Sequence, residues 1–106
     1  MIEISMENKI EQASIQHVEV FFNKAYLQIK AMSTDPNQEL MYAFYVYKTG
    51  EVDAIEKSAY KKFDTHQLEI KAPGEYRVKV FAKNKNTGKV MTQSSKAVQY
   101  TMIKDY

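Results

Sequence analysis

The sequence predicts an all-β fold, a seven-stranded antiparallel β-sandwich. Apolar residues alternate with polar ones over short runs from about residue 15 onward, which is the period of half-buried strands. Turn-forming residues separate these runs at intervals of about 8 to 12 residues, as they do in sandwiches. Eight Tyr and five Phe, with no Trp and three Gly among 106 residues, form a composition that favours strands, and the length suits one domain.

The chain before residue 15 is the part for which the sequence predicts no regular element. Its apolar residues fit the spacing of a strand as well as that of a helix, but the polar residues among them fit neither a central strand nor a well-capped helix. We therefore expect an N-terminal arm or linker over residues 1–14 and the sandwich domain over residues 15–106.

The first two predicted strands form a hairpin around Asn23-Lys24, in which Asn tolerates a positive φ. Apolar residues recur at every second position on either side of this turn: Val18, Val20 and Phe22 before it, and Leu27, Ile29 and Ala31 after it. Residues 33–38 contain Pro36 among polar turn formers and predict a loop.

The third predicted strand, residues 40–48, is apolar on both faces and is expected at the centre of a sheet. A weaker, peripheral strand is expected over residues 52–60. The strand after it, residues 66–71, is expected to turn Leu68 and Ile70 inward.

The sixth predicted strand follows the turn Pro73-Gly74 and has Tyr76 near its start. Apolar residues occupy every second place along it. Residues 84–88 then predict a hairpin loop, and the last strand follows with an interruption near Ser94-Ser95. The predicted strands therefore number about seven.

Two stretches resemble a known group of folds. Ala72-Pro73-Gly74-Glu75-Tyr76-Arg77-Val78-Lys79-Val80 resembles the turn and sixth strand of fibronectin type III and immunoglobulin-like modules, and residues 41–51 resemble their third strand and the turn after it. Together, over roughly residues 16 to 104, the chain is similar to bacterial three-tyrosine-type accessory modules.

This resemblance implies further properties of the fold and of its setting. The topology would be immunoglobulin-like, and Tyr76 would form a tyrosine corner, with its hydroxyl bonded to the backbone upstream. The domain would belong to a larger bacterial protein, beside sensor, glycan-active or cell-surface domains. The setting implied is then extracellular or at the cell surface.

Alternation along the third and sixth strands separates inward from outward side chains. The inward set is expected to be Tyr42, Phe44 and Val46 on the third strand, and Tyr76, Val78, Val80 and Ala82 on the sixth. Because these two strands are neighbours in the sandwich, outward residues should meet on one outer face. The candidate site consists of Tyr45, Tyr47 and Phe81, bordered by Arg77 and Lys79, with Ala43 also outside.

The sequence leaves three interpretations of this outer cluster open. Aromatic rings and Lys stems could cover a solvated sheet as ordinary cross-strand pairs. The cluster could pack against a neighbouring domain or the N-terminal arm. It could also be a binding face, on which Tyr rings stack on sugars or anchor a protein partner while the cations fix the orientation.

Composition excludes several classes of function. Without cysteine there is no disulfide, zinc-thiolate site or thiol catalysis. A net charge of +2 with no basic stripe predicts no nucleic-acid partner. No apolar run approaches the roughly 18 to 20 residues that span a bilayer, so we expect no membrane insertion.

No catalytic, metal or cofactor motif stands out. His17 and His66 have no metal-ligand partner at helical or strand spacing, and Asp64-Thr65-His66 lacks the arrangement of a working dyad. We expect no cofactor and no enzymatic activity. The first hypothesis is a non-catalytic accessory module that binds neighbouring domains or another protein, and the second is a carbohydrate-binding module.

Overall fold

A computed structural model of the chain describes residues 15–33 and 39–101. These residues form eight strands: β1 (Ile15–Asn23), β2 (Tyr26–Ser33), β3 (Leu40–Lys48), β4 (Glu56–Lys57), β5 (Thr65–Glu69), β6 (Gly74–Asn84), β7 (Val90–Ser94) and β8 (Val98–Tyr100). Among them there is no helix that could cross a membrane. The predicted arm, residues 1–14, and most of the predicted loop at 33–38 lie outside the described residues.

The strands form two antiparallel sheets. The first has the order β1-β2-β5, and the second has the order β4-β3-β6-β7, with β8 also paired to β6. β7 and β8 follow one another along the same edge of β6, opposite residues 79–83 and 74–76 respectively. The all-β prediction is confirmed, and the two layers have the architecture of a β-sandwich.

One hydrophobic core lies between the two sheets. Its largest fully buried side chains are Phe44, Leu27, Val46, Val78 and Val80. Leu27 comes from the first sheet and the other four come from β3 and β6 of the second. Because one apolar cluster joins residues of both layers, the sheets pack on one another as a single folding unit.

The predicted hairpin between β1 and β2 is present, with its turn one position later than expected. Asn23 pairs with Tyr26 as the last rung of the ladder, so Lys24 and Ala25 form the two-residue loop. The positive φ is at Lys24, at 58°, and not at Asn23. Primed hairpin turns require a positive φ at their first loop residue, which is the place that Lys24 occupies.

The predicted peripheral strand at 52–60 is reduced to the two residues of β4. The Ile55 and Ser58 amides donate to the carbonyls of Val46 and Phe44, at 2.8 and 3.0 Å. The Phe44 amide, however, donates to the Ser58 side-chain oxygen at 2.8 Å. A side chain therefore takes the place of the backbone carbonyl opposite Phe44, and the regular ladder ends there.

The sixth strand has the inward set that alternation predicts, since Tyr76, Val78, Val80 and Ala82 are all at most 2% exposed. The Tyr76 hydroxyl donates to the Ala72 carbonyl at 2.6 Å, which is the contact implied by the resemblance. Gly74 opens the strand with a φ of 152°. A Cβ at Gly74 would lie 2.7 Å from Lys48 Cε, so glycine satisfies both the backbone conformation and the close approach.

The predicted interruption of the last strand is confirmed between β7 and β8. Ser95 lies in the gap, where its side-chain oxygen accepts from the Val78 amide at 2.9 Å. The Ser95 amide donates to the Val78 carbonyl at 2.8 Å. Ser95 thus satisfies the β6 backbone at the point where the edge strand leaves the ladder.

Candidate functional site

The register of β3 against β6 brings the candidate residues to one outer face. Tyr47 lies opposite Arg77, and Tyr45 lies opposite Lys79. Phe81 is two residues beyond Lys79 on β6, and it lies opposite Ala43. Both Tyr rings of β3 therefore lie beside a cation of β6, and Phe81 of β6 lies beside the small side chain of Ala43.

Two of the predicted rings are in contact. The ring centres of Tyr45 and Phe81 are 4.7 Å apart, and their planes are inclined by 56°. They are diagonal neighbours across the strand pair, a distance that aromatic side chains span easily. The two rings form an aromatic pair with a stepped surface instead of a flat one.

Cations lie over these rings. The Arg77 guanidinium carbon is 5.1 Å from the centre of the Tyr47 ring. The Lys79 ammonium is 5.3 Å from the Phe81 ring, and the Lys57 ammonium is 5.4 Å from the Tyr45 ring. Each distance is within the range of a cation–π interaction, so every ring of the candidate site has a positive charge at its face.

The structure adds Tyr60 and Lys83 to this face. The Lys83 ammonium lies 5.5 Å from the centre of the Tyr60 ring. Tyr60 is held there because its neighbour Lys61 pairs with the backbone of Tyr42 as an isolated bridge. Desolvation by burial raises the pKa of Tyr60, and charge repulsion between the ionised forms of Tyr60 and the nearby Tyr45 raises it further. The sequence Tyr60-Lys61-Lys62-Phe63 also combines aromatic and basic residues. Only the Lys61–Tyr42 bridge shows that Tyr60 lies on this face.

We define the ring-and-cation face as this outward surface of the second sheet: Tyr45, Tyr47, Tyr60 and Phe81, with Lys57, Arg77, Lys79 and Lys83. Arg77, Lys57 and Lys83 are exposed, while Lys79 and the rings on the two strands are half-buried. The rings are therefore partly covered by their own neighbours. Ala43 lies on this side of the sheet, as expected, because it pairs with Phe81, but it is only 3% exposed.

An open depression lies at one end of the ring-and-cation face. Its volume is about 280 Å³, and its lining includes the side chains of Tyr47, Arg77, Lys79 and Ser94. Arg77 and Lys79 carry positive charge, and Ser94 adds a hydroxyl from the edge strand β7. The depression is suited to a small anionic or polar group rather than to an apolar one.

A second polar cluster joins the two sheets at the β4–β5 side. The Lys61 ammonium lies 2.7 Å from His66 Nδ1, and His66 Nε2 lies 2.8 Å from the Glu56 carboxylate. Because an ammonium can only donate, Nδ1 is the acceptor and Nε2–H donates to Glu56. The imidazole also stacks on Phe44, with ring centres 5.2 Å apart and planes 11° apart.

Sequence reasoning found no partner for His66, since Glu56 and Lys61 reach it from another sheet and a connecting segment. An open depression of about 310 Å³ borders it, lined also by Gln28, Phe63 and Gln67. Among residues 15–33 and 39–101, no group of three or more His, Cys, Asp and Glu side chains could hold a metal ion. The cluster's visible role is to tie the edge of one sheet to the edge of the other.

Comparisons with known proteins give a likeness in fold. No protein-family model matches the chain, and no curated protein matches it. One solved structure that is similar is a family 76 glycoside hydrolase from a bovine Bacteroides thetaiotaomicron strain, with a TM-score of 0.59 and 15% identity over 80% of this chain. This chain spans 20% of the hydrolase chain. At this identity the likeness concerns the fold alone.

Proposed function

We propose that this chain is a non-catalytic interaction module of a larger bacterial protein, which docks through its ring-and-cation face against a neighbouring domain or another protein. The observation that carries the proposal is the Tyr45–Phe81 pair, flanked by Arg77 over Tyr47. Tyr, Phe and Arg are the residue types enriched in the centres of protein interfaces. Lys57 and Lys83 would form the polar rim.

The finer fold assignment belongs to the same proposal. We propose a seven-stranded immunoglobulin-like sandwich of the fibronectin type III kind, in which β7 and β8 count as one interrupted strand. The strand orders β1-β2-β5 and β4-β3-β6-β7 support this assignment. The Tyr76–Ala72 hydrogen bond near the start of β6 supports it too, because a tyrosine corner occurs at that place in such sandwiches.

The place in a larger protein is supported by the similar structure, in which a domain of this fold accounts for 20% of a longer chain. The non-catalytic character is supported by the chemistry of the face. Its five candidate residues carry rings, an ammonium and a guanidinium, with no carboxylate or imidazole to act as a general base near neutral pH.

A photo-cross-linking experiment tests the docking function. Thr92 of β7 is exposed beside Phe81, and Thr65 of β5 is exposed on the other sheet. Each is replaced in turn by benzoylphenylalanine in the parent protein, and the cells that produce it are irradiated. We expect a discrete adduct from Thr92→benzoylphenylalanine, mapped to one partner surface, and none from the Thr65 variant. Equal labelling from both positions, or none from Thr92, contradicts the proposal.

The second candidate function is a carbohydrate-binding module that uses Tyr45, Tyr47 and Phe81. The observation in its favour is that the similar solved structure is a glycoside hydrolase. The 56° inclination of Tyr45 to Phe81 and the cations over the rings count against flat stacking of a sugar. The test is a titration of the isotope-labelled protein with a panel of glycans, followed by its amide resonances. Shifts confined to resonances of β3 and β6 support this function. The absence of shifts with every glycan of the panel contradicts it.

A further inference from the structure

We propose that the partner presents an extended acidic peptide to the ring-and-cation face, and that one of its carboxylates binds in the depression between Arg77 and Lys79. This inference rests on the proposed docking function and names the chemistry of the partner. Four observations lead to it: the unbalanced charge of the face, the free donors of Arg77, the spacing of the cations along β6, and the shape of the aromatic surface.

The four cations of the ring-and-cation face outnumber the carboxylate that lies beside them on β6, which is Glu75. Within the described part of the chain, the Lys30–Asp64 ion pair and the hydrogen bond from His66 to Glu56 both lie away from this face. Glu75 lies on the same side of β6, two residues before Arg77, and its carboxylate accepts a hydrogen bond from the Thr49 hydroxyl at 2.8 Å. The face therefore favours an anionic partner.

Arg77 is prepared to bind a carboxylate. Its guanidinium carbon lies 5.1 Å from the centre of the Tyr47 ring, and this cation–π contact is not a hydrogen bond to any of the five N–H donors. Among the described residues, the Arg77 guanidinium makes no hydrogen bond or ion pair. The edge of the guanidinium is thus available for a bidentate contact, while Lys79 and the Ser94 hydroxyl line the same depression.

The cations along β6 have the repeat of an extended chain. Arg77 and Lys79 are two residues apart on one face of the strand, which corresponds to about 6.6 to 6.8 Å. Lys83 lies at twice that interval beyond Lys79, with Phe81 between them. An extended peptide that runs alongside β6 presents every second side chain to the face at the same repeat. Carboxylates at alternate positions would meet Arg77, Lys79 and Lys83, and an intervening apolar residue would meet Phe81.

The aromatic surface favours a peptide over an acidic polysaccharide. Tyr45 and Phe81 are inclined by 56°, and cations lie over the faces of Tyr45, Tyr47 and Phe81. A sugar ring needs an open, flat aromatic face, whereas a peptide can lay side chains into the steps between the rings. We therefore argue for the peptide and treat the polysaccharide as an outcome of the test.

The binding experiment is an amide-resonance titration of the isotope-labelled chain with two eight-residue peptides of equal charge. One is Glu-Thr-Glu-Thr-Val-Thr-Glu-Thr, and the other contains the same residues with its three Glu in a row at one end. We expect the alternating peptide to shift resonances of β3, β6 and β7, to bind more tightly than the block peptide, and to weaken as salt shortens the Debye length. Polygalacturonate is titrated as a third ligand, because it carries carboxylates on a polysaccharide instead of a peptide.

Two double variants with the same change in net charge identify the site. Arg77→Gln with Lys79→Gln removes the anchor, and Lys85→Gln with Lys89→Gln removes two exposed charges from the hairpin tip between β6 and β7. We expect roughly a tenfold loss of affinity for the first, which is what two exposed ion pairs near the upper end of their usual range supply, and little change for the second. Arg77→Lys keeps the positive charge but lacks the paired N–H donors of the guanidinium, so it should lose part of the affinity for the alternating peptide.

Three results of the titration would overturn the inference. They are no binding of the alternating peptide, equal binding of the block peptide, and tighter binding of polygalacturonate than of either peptide. Equal losses in the two double variants would also overturn it, because the charge would then act without a site. If the acidic peptides fail while the Thr92 cross-link remains, the docking function stands and only the acidic partner is wrong.

Discussion

The Tyr76 hydroxyl offers the sharpest test of how this fold is held together. Tyr76→Phe removes a single oxygen and leaves the ring in place, with its edge contact to Phe22 at 6.4 Å and the Lys48 ammonium 5.8 Å from its centre. The change therefore isolates the 2.6 Å hydrogen bond to the Ala72 carbonyl. Because the variant keeps its volume, it creates no sizeable cavity in the core.

The expected cost follows from where the two partners lie. Tyr76 is 2% exposed, so its hydroxyl has no access to bulk water, but Ala72 is exposed and water can reach its carbonyl once the bond is lost. The penalty should therefore be that of an ordinary hydrogen bond, about 1 kcal/mol, and not the up to 3 kcal/mol of a buried unsatisfied group. In a domain of this size, this corresponds to a fall in Tm of about 4 to 8 °C.

Thermal and urea unfolding of the two proteins give the measurement. Tyr100→Phe is the matched control, because Tyr100 is a half-buried tyrosine that packs on Phe22 and whose hydroxyl has no hydrogen bond among the described residues. Its free energy of unfolding should change by less than about 0.5 kcal/mol. If Tyr76→Phe is as stable as the native chain, or if both variants lose the same amount, the argument that this hydroxyl fastens the start of β6 is refuted.

Two other variants test backbone satisfaction and burial. Ser95→Ala leaves the fully buried Val78 without a partner for its amide and should cost about 1 to 3 kcal/mol in urea unfolding, whereas Ser94→Ala, one residue earlier and exposed, should be nearly neutral. Burial raises the pKa of Tyr42 above 10.0, so its contribution to stability is complete below pH 10.0 and is lost as the pH rises through the folded-state value. Between about pH 9 and pH 11, the Tyr42→Phe variant should therefore lose less stability than the native chain, and a parallel loss would contradict this.

The fold class could be predicted because it depends on local periodicity. Alternation along residues 76–82 assigns Tyr76, Val78, Val80 and Ala82 to the core, and the structure buries each of them. The same period places Tyr45 and Phe81 on the opposite side of the second sheet, where their rings meet. A strand has only two faces, so one buried residue decides the orientation of all the others in that strand.

The lengths of the peripheral elements could not be predicted in this way. β4 ends at Lys57 because the Ser58 hydroxyl accepts from the Phe44 amide, and β7 stops before Ser95 because that hydroxyl accepts from the Val78 amide. A serine in a strand-like run has the same local propensity whether or not a buried amide faces it. Only the partner strand determines which serine replaces a rung of the ladder.

The sequence by itself determined an all-β chain and the alternation of side chains along β3 and β6, from which the five residues of the candidate site were predicted to share one face. The tertiary structure alone decided that cations lie over those rings, that Tyr60 joins them, and that His66 bridges Glu56 and Lys61 between the sheets. The physical reason is the range of the interactions. Alternation is set by the covalent geometry of each strand, whereas these contacts join residues that only the packing of separate segments brings together.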